Sequence, residues 1–232
     1  MDFTRDLNRD FKMLYGELLF PHGFTFNKRG FYRRHGDDVL LEVSVFRRHP
    51  YFEVTFETYP FSCAYTAERG WRGWGVDWFM ANLCKKKGLI YKRQPQDSYE
   101  EKMERMYQAF SSTIFPEFNQ VVSLDTERAY TEWLEASVGL PRDLVSGIRV
   151  FLQQKDYLNA RKRIDEYFSK NALSYSEKAA SGNRSAFVKE YAFWLDIADG
   201  IDQGCYCKID DYIQEQINIT RDTCKRLGIV SQ

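Results

Sequence analysis

Two runs of β-branched and aromatic residues decide the fold of this chain: Val39-Leu40-Leu41-Glu42-Val43-Ser44-Val45-Phe46 and Tyr51-Phe52-Glu53-Val54-Thr55-Phe56. In both runs apolar and polar residues alternate, which is typical of strands with one face in the core and one face in water. Val39, Leu41 and Val43 fall on one face, and Glu42 and Ser44 fall on the other. The alternation predicts two antiparallel strands with a buried face and a wet face.

A further strand is predicted just before the first of these runs. Phe31-Tyr32-Arg33-Arg34 is joined to Val39 by His35-Gly36-Asp37-Asp38, which has the residue types of a tight hairpin loop. The stretch from Phe20 to Tyr59 is therefore expected to form an antiparallel meander.

An amphipathic helix is predicted ahead of the meander. Apolar residues recur there at steps of three and four: Phe3, Leu7, Phe11, Leu14 and Leu18. Pro21 and Gly23 end the pattern. A helix with one apolar side and a sheet with one apolar face both leave water when they pack together, so we expect this helix to cover the buried face.

The second half of the chain has a helical pattern. Ser98 and Glu101 form a capping box ahead of an apolar stripe, and similar stripes follow to the end of the chain. Phe151 to Leu173 resembles one tetratricopeptide-type helical hairpin, and no second copy is visible in the sequence. Gly88 to Pro95 is expected to be a strand or a hinge.

These patterns predict an α+β protein. An N-terminal helix packs on an antiparallel β-meander, and a helical C-terminal bundle follows. The predicted domains are an α+β helix-plus-meander domain over residues 1–95 and a helical domain over residues 96–232.

Composition narrows the class of protein. The 232 residues carry 33 basic and 33 acidic side chains, so net charge does not suggest a nucleic-acid role. The charge is uneven, because residues 1–96 carry a net charge of +5 and the remainder carries −5. No signal-peptide run and no apolar stretch of membrane-spanning length occurs, and the five cysteines include no Cys-x-x-Cys. We therefore expect a cytoplasmic protein with no membrane contact, no cofactor and no metal.

Catalytic motifs are weak in this sequence. His35 beside Asp37 could orient an imidazole for base catalysis, but glycine and aspartate are also ordinary residues of a turn. Glu42, Glu53 and Glu57 on the wet face could bind a metal or act as acid and base. Cross-strand ion pairs with Arg33, Arg34 and Arg47 are the competing interpretation. No catalytic residue is assigned, and an enzyme is not favoured.

The leading functional hypothesis is a non-catalytic protein-binding role of an interaction or immunity type. It rests on the aromatic segment from Trp71 to Phe79, because aromatic residues are enriched at interfaces. The candidate binding residues are Trp71, Trp74, Trp78, Tyr32, Arg33, Arg34 and Arg47.

Nucleic-acid binding is an alternative hypothesis, with cations on phosphates and rings under bases. It would use the basic hairpin formed by Lys28, Arg29, Arg33, Arg34, Arg47 and Arg48. The same lysines and arginines could instead be a solvated edge that prevents strand-to-strand aggregation. An enzyme with a carboxylate or histidine site on the sheet is the second alternative.

The start of the meander carries a resemblance to a known family. Leu18-Leu19-Phe20-Pro21-His22-Gly23-Phe24, followed by Lys28-Arg29-Gly30-Phe31-Tyr32-Arg33-Arg34, resembles a bacterial family catalogued as domain of unknown function 4304. The resemblance covers about residues 10–60 and implies a helix-then-meander domain of bacterial, cytoplasmic origin. It implies no activity and no catalytic residue.

Overall fold

The computed structural model of this chain describes residues 6–28, 30–48, 51–65, 74–90, 98–138, 144–180 and 186–230. Five strands are described: β1 (Thr25–Asn27), β2 (Gly30–His35), β3 (Val39–Arg48), β4 (Tyr51–Pro60) and β5 (Trp74–Gly75). The helices are α1 (Leu7–Leu19), α2 (Val76–Lys86), α3 (Tyr99–Ala109), α4 (Phe115–Phe118), α5 (Leu124–Val138), α6 (Leu144–Gln153), α7 (Tyr157–Ala180), α8 (Ala186–Asp202) and α9 (Tyr206–Arg226). The α+β fold class is confirmed.

The chain divides into two compact units. The first unit holds residues 1–61, 65–141 and 220–232, and the second holds residues 62–64 and 142–219. The sequence places a domain boundary after residue 95, whereas the first unit also takes in α3, α4 and α5. It also takes in the last residues of α9.

The sheet is the antiparallel meander that the sequence predicts. The strands follow one another in the order β1-β2-β3-β4-β5. In the longest pairing, Val43 lies opposite Phe56 and Glu42 lies opposite Glu57. Because residues opposite each other share a face, the alternation carries across the sheet. Strands β1 and β5 are only three and two residues long.

The inner face of the sheet is packed under α1, as predicted. Phe11 of α1 is fully buried, and its ring centroid lies 5.4 Å from that of Phe31 on β2. Leu41, Val43 and Val54 belong to the same apolar cluster as Phe11. Gly23 ends the turn after α1 in the left-handed conformation, at φ 79°, which glycine adopts without steric cost.

The outer face of the sheet is not the wet face that the alternation predicts. Tyr32, Leu40, Ser44 and Thr55 all point to this side, and all four are buried. The prediction of a solvated face is therefore wrong at these positions.

Two distant segments of the chain explain this burial. Tyr65 lies just after β4, and its hydroxyl donates to a carboxylate oxygen of Glu42 at 3.1 Å. Thr220 in α9 accepts a hydrogen bond from the Tyr65 amide and donates one to the Phe61 carbonyl, both at 2.9 Å. Phe61, Tyr65 and residues 220–230 thus supply a second layer that local alternation cannot reveal.

Helix α3 begins at the capping box that the sequence predicts. The Ser98 hydroxyl accepts from the Glu101 amide at 3.2 Å, and the Glu101 carboxylate accepts from the Ser98 amide at 2.7 Å. The helix widens into a π-helical turn over Phe110–Ile114 before α4 begins. Phe110 and Ile114 are fully buried there, so this turn faces the apolar core.

The second unit contains two helical hairpins in succession. Helices α6 and α7 are joined by residues 154–156, and α8 and α9 are joined by residues 203–205. The middle residue of each connection is left-handed, Lys155 at φ 60° and Gly204 at φ 70°. Each connection closes with amide-to-carbonyl bonds that reach back three and five residues.

The connection between α8 and α9 has the same backbone form as that between α6 and α7, which the sequence analysis did not predict. Tyr157 and Tyr206 occupy the same position after the two connections, and their rings stack with centroids 4.2 Å apart. Gln154 and Tyr157 recur as Gln203 and Tyr206, whereas Gly204 and Cys205 stand in place of Lys155 and Asp156. The backbone form of the turn is therefore kept although its two middle residues differ. Among the helices that the structure describes, none is long and apolar enough to cross a lipid bilayer.

Candidate functional site

Two of the predicted binding tryptophans meet at the edge of the sheet. Trp74 belongs to the edge strand β5 and Trp78 to the first turn of α2. Their ring centroids lie 5.1 Å apart with an interplanar angle of 31°. Both rings are half-buried, and both pack against the apolar cluster of the first unit. We call Trp74 and Trp78 the tryptophan pair.

The positions of both rings follow from local structure. Trp74 lies opposite Phe56 on β4, so the strand pairing turns its side chain to the inner face. Gly75 follows in extended backbone, at ψ 134°, and α2 starts at the next residue. The carboxylate of Glu53 lies so close to Gly75 that a Cβ there would be 1.8 Å from Oε1, so glycine is required at this position unless Glu53 moves.

An ion pair anchors the start of α2 beside the tryptophan pair. The guanidinium of Arg105 in α3 contacts both carboxylate oxygens of Asp77. Only 11% of the Asp77 side chain is exposed. Because α2 is bonded to α3 next to Trp78, the tryptophan pair is carried on a fixed support.

The remaining predicted binding residues do not extend this surface. Tyr32 is buried on the outer face, where its hydroxyl donates to Glu42 at 3.3 Å. Arg34 donates to Asp37 at 2.5 Å and to the Gly36 carbonyl at 2.7 Å. Trp71 and the side chain of Arg47 lie outside the described residues.

Arg33 lies inside the first unit, although the sequence analysis counts it among the binding residues. It is 5% exposed, and its guanidinium lies 4.7 Å over the ring of Phe24. It donates to the carbonyl oxygens of His22, Asn119 and Val121 and to the side-chain oxygen of Asn119. Burial lowers the pKa of Arg33 to about 10, and these contacts leave it no role on a basic surface.

A carboxylate–tyrosine cluster occupies the outer face of the sheet. Glu42 accepts hydrogen bonds from the hydroxyls of Tyr32, Ser44 and Tyr65. Glu57 lies opposite Glu42 on β4 and accepts from the hydroxyl of Tyr59 at 2.6 Å. Hydroxyl donors thus compensate two carboxylates that would otherwise repel each other across the strands.

The tyrosines of this cluster stay protonated. Burial, followed by the negative charge of Glu42, raises the pKa of both Tyr59 and Tyr65. Their ring centroids are 4.7 Å apart. The hydroxyls therefore remain donors to the carboxylates throughout the ordinary pH range.

The sheet separates Arg33 and His35 from Glu42, so the expected ion pair of Arg33 with Glu42 and a site joining His35 to Glu42 are not formed. Arg33 lies on the inner face, whereas Glu42 lies on the outer face and bonds to hydroxyls. His35 also lies on the inner face, opposite Val39. Among the described residues, no group of three histidine, cysteine, aspartate or glutamate side chains is placed to hold a metal ion.

Sequence reasoning missed Tyr59, Tyr65 and Thr220 as members of the outer layer. The alternation of β4 places Tyr59 on the same side as Glu57, which was a usable signal. Nothing in the sequence near Tyr65 or Thr220 indicates that either residue contacts the sheet. Their contacts join segments 155 residues apart, and local patterns carry no information at that range.

Comparison with known proteins yields no relative. No family model, no curated protein and no solved structure matches this chain. The resemblance of residues 10–60 to the bacterial family named above therefore stays a prediction.

Proposed function

We propose that this chain is a non-catalytic protein-binding protein whose partner contacts Trp74 and Trp78. The observation that carries the proposal is the tryptophan pair itself, two half-buried indole rings 5.1 Å apart at the edge of the sheet. Tryptophan is enriched among the few residues that dominate binding energy at interfaces. We also propose that the protein is bacterial and cytoplasmic and that its role is of the interaction or immunity type.

The support beneath the rings favours binding over a purely structural role. Both rings are held from below by the apolar cluster, and the ion pair of Asp77 with Arg105 fixes α2. Rings that are already ordered lose little conformational freedom when a partner covers their open sides. Such preorganised aromatic contacts are typical of binding surfaces.

The first experiment identifies the partner by its contact with the site. A photoreactive phenylalanine derivative replaces Trp78 in one preparation and Trp133 in another. Trp133 is the matched control, because it is also half-buried and stacks on Phe79 and Tyr130 in the same unit. We expect cross-linking of one protein at position 78 and not at position 133.

The second experiment measures affinity with the purified partner by calorimetry. The double substitution Trp74→Ala with Trp78→Ala is expected to weaken binding at least about thirtyfold, because hot-spot tryptophans carry that much of the binding energy. Trp133→Ala is expected to leave affinity unchanged. Binding of the double variant within about threefold of the parent, with an unchanged melting curve, would reject the site.

The two alternatives receive less support. Nucleic-acid binding would need an exposed basic hairpin, but Arg33 is inside and Arg34 pairs with Asp37. A filter-binding titration at low salt tests it directly, since phosphate contacts weaken steeply with salt. An enzyme would draw on the Glu42, Glu53 and Glu57 carboxylates of the outer face, whereas His35 lies on the opposite side.

A further inference from the structure

The turn after α2 exposes apolar side chains that such turns normally cover. Lys87 ends the helix, Gly88 is left-handed at φ 69°, and the Leu89 amide donates to the Cys84 carbonyl at 2.8 Å. In this type of helix ending, the residue that follows the glycine usually packs back on the last turn. Leu89 is instead 60% exposed, and Ile90 is 86% exposed.

Three lysines directly precede the turn that carries these two aliphatic side chains. Lys85, Lys86 and Lys87 are all exposed. The Lys86 ammonium donates to the Ala136 carbonyl. We call Lys85, Lys86, Lys87, Leu89 and Ile90 the basic tip.

We propose that the basic tip docks on an anionic lipid surface, with Leu89 and Ile90 inserted among the headgroups and the lysines against the phosphates. This is a peripheral contact that departs from the expectation of no membrane contact. It does not depend on the tryptophan pair, so either proposal can fail while the other stands.

The chemistry of the basic tip favours lipid over the other anionic partners. A protein partner must match the shape of the surface that it covers. Ile90 is almost fully exposed, so it provides neither a groove nor a flat surface for such a match. Nucleic acid pairs with cations and stacks on rings, and it gains little from two aliphatic tips. The interface of a bilayer is fluid and anionic, so it accepts protruding aliphatic groups and neighbouring lysines together.

The experiment uses the full chain and sedimentation with vesicles of phosphatidylcholine and phosphatidylserine mixed at about three to one, compared with phosphatidylcholine alone. We expect binding to the mixed vesicles at about 0.15 M salt and loss of binding at about 1 M salt. Lys85→Glu with Lys87→Glu is expected to weaken the partition at least about tenfold. Leu89→Ser with Ile90→Ser is expected to do so by a similar factor.

The matched control lies on α7. Leu173 is 75% exposed, comparable with the tip residues, and Lys170 lies on the same helix. Lys170→Glu with Leu173→Ser makes one substitution of each kind elsewhere on the surface and is expected to leave vesicle binding unchanged.

Several outcomes would overturn the proposal. These are no sedimentation with the mixed vesicles at low salt, equal binding by the tip variants and the parent, and an equal loss in the control variant. Retention of a short DNA duplex that the lysine substitutions abolish, without vesicle binding, would assign the tip to nucleic acid instead. Melting curves for each variant separate lost binding from lost folding.

Discussion

Arg33 is held inside the first unit by oxygen atoms of uncharged groups. Its two terminal nitrogens reach the His22 carbonyl at 3.2 Å, the Asn119 carbonyl at 2.7 Å and the Val121 carbonyl at 3.4 Å, as well as the Asn119 side chain. The planar guanidinium can satisfy several acceptors at once, and a lysine ammonium cannot match that geometry. The residue therefore ties β2 to the segment that follows α4.

Replacing Arg33 by lysine tests this role. We expect Arg33→Lys to lower the free energy of unfolding by about 3 kcal/mol, because a single ammonium cannot reach all of the buried oxygen atoms and some are left without a donor. Urea denaturation measures the change. Arg128→Lys is the control, since 41% of the Arg128 side chain is exposed and its salt bridge lies at the surface. Equal stability of the Arg33 variant and the parent would contradict the role.

His35 should make stability depend on pH. Burial, and then the charge of Arg33, lowers the pKa of His35 below its ordinary value of 6.5. The unfolded chain therefore binds the proton more readily than the folded chain, so stability falls as pH drops below about 6.5 toward the folded pKa. In a urea series, His35→Gln is expected to flatten the slope of stability against pH in this window. An unchanged slope would show that His35 is not the cause.

At the scale of elements, the helix and strand patterns predicted much of the first unit. The alternation in β3 and β4, the apolar stripe of α1 and the capping box at Ser98 all rest on contacts within a few residues of each other. Strands β1 and β5 escaped prediction because three and two residues are too few to show a period. Arg33 was misplaced because its charge was given more weight than its position in the alternation of β2.

The capping box offers a direct test at this scale. Ser98→Ala removes the hydroxyl that accepts from the Glu101 amide and is expected to cost about 1 kcal/mol of stability. A melting temperature lower by about 2–4 °C would be the corresponding signal. Ser176→Ala in α7 is the matched control, because its hydroxyl donates within its own helix, to the Ala172 carbonyl on an exposed surface. Equal melting of both variants would rule out a stabilising cap.

At the scale of the whole molecule, residues 220–230 complete the first unit. Besides the bonds of Thr220, the Arg221 guanidinium pairs with the Asp37 carboxylate at 2.5 Å, and Cys224 is fully buried. These contacts cover the outer face of a sheet built from residues 25–75. Trp74 and Trp78 were named from the sequence, but the contact between their rings, the ion pair of Asp77 with Arg105 and the contacts of residues 220–230 with the sheet were not. No local pattern marks these contacts.

Two variants test how much residues 220–230 contribute to the stability of the first unit. Deletion of residues 220–232 is expected to speed amide hydrogen exchange in β3 and β4 and to leave exchange in α6 and α7 unchanged. Thr220→Val is the milder variant, because it keeps the shape of the side chain. It leaves the Tyr65 amide and the Phe61 carbonyl without their hydrogen-bond partner, at a cost of about 2 kcal/mol. An unchanged free energy of unfolding for Thr220→Val would contradict the role of this contact.

The Asn27 side chain donates to the Leu227 carbonyl, a contact between residues 200 positions apart. A ribosome adds about 5–20 residues per second, so β2 to β4 emerge roughly 10–30 s before the segment that seals their outer side. During that interval the outer face of the sheet, including Leu40, is uncovered in the nascent chain. Chaperones that recognise exposed aliphatic strands therefore have a defined window in which to hold this protein during its synthesis.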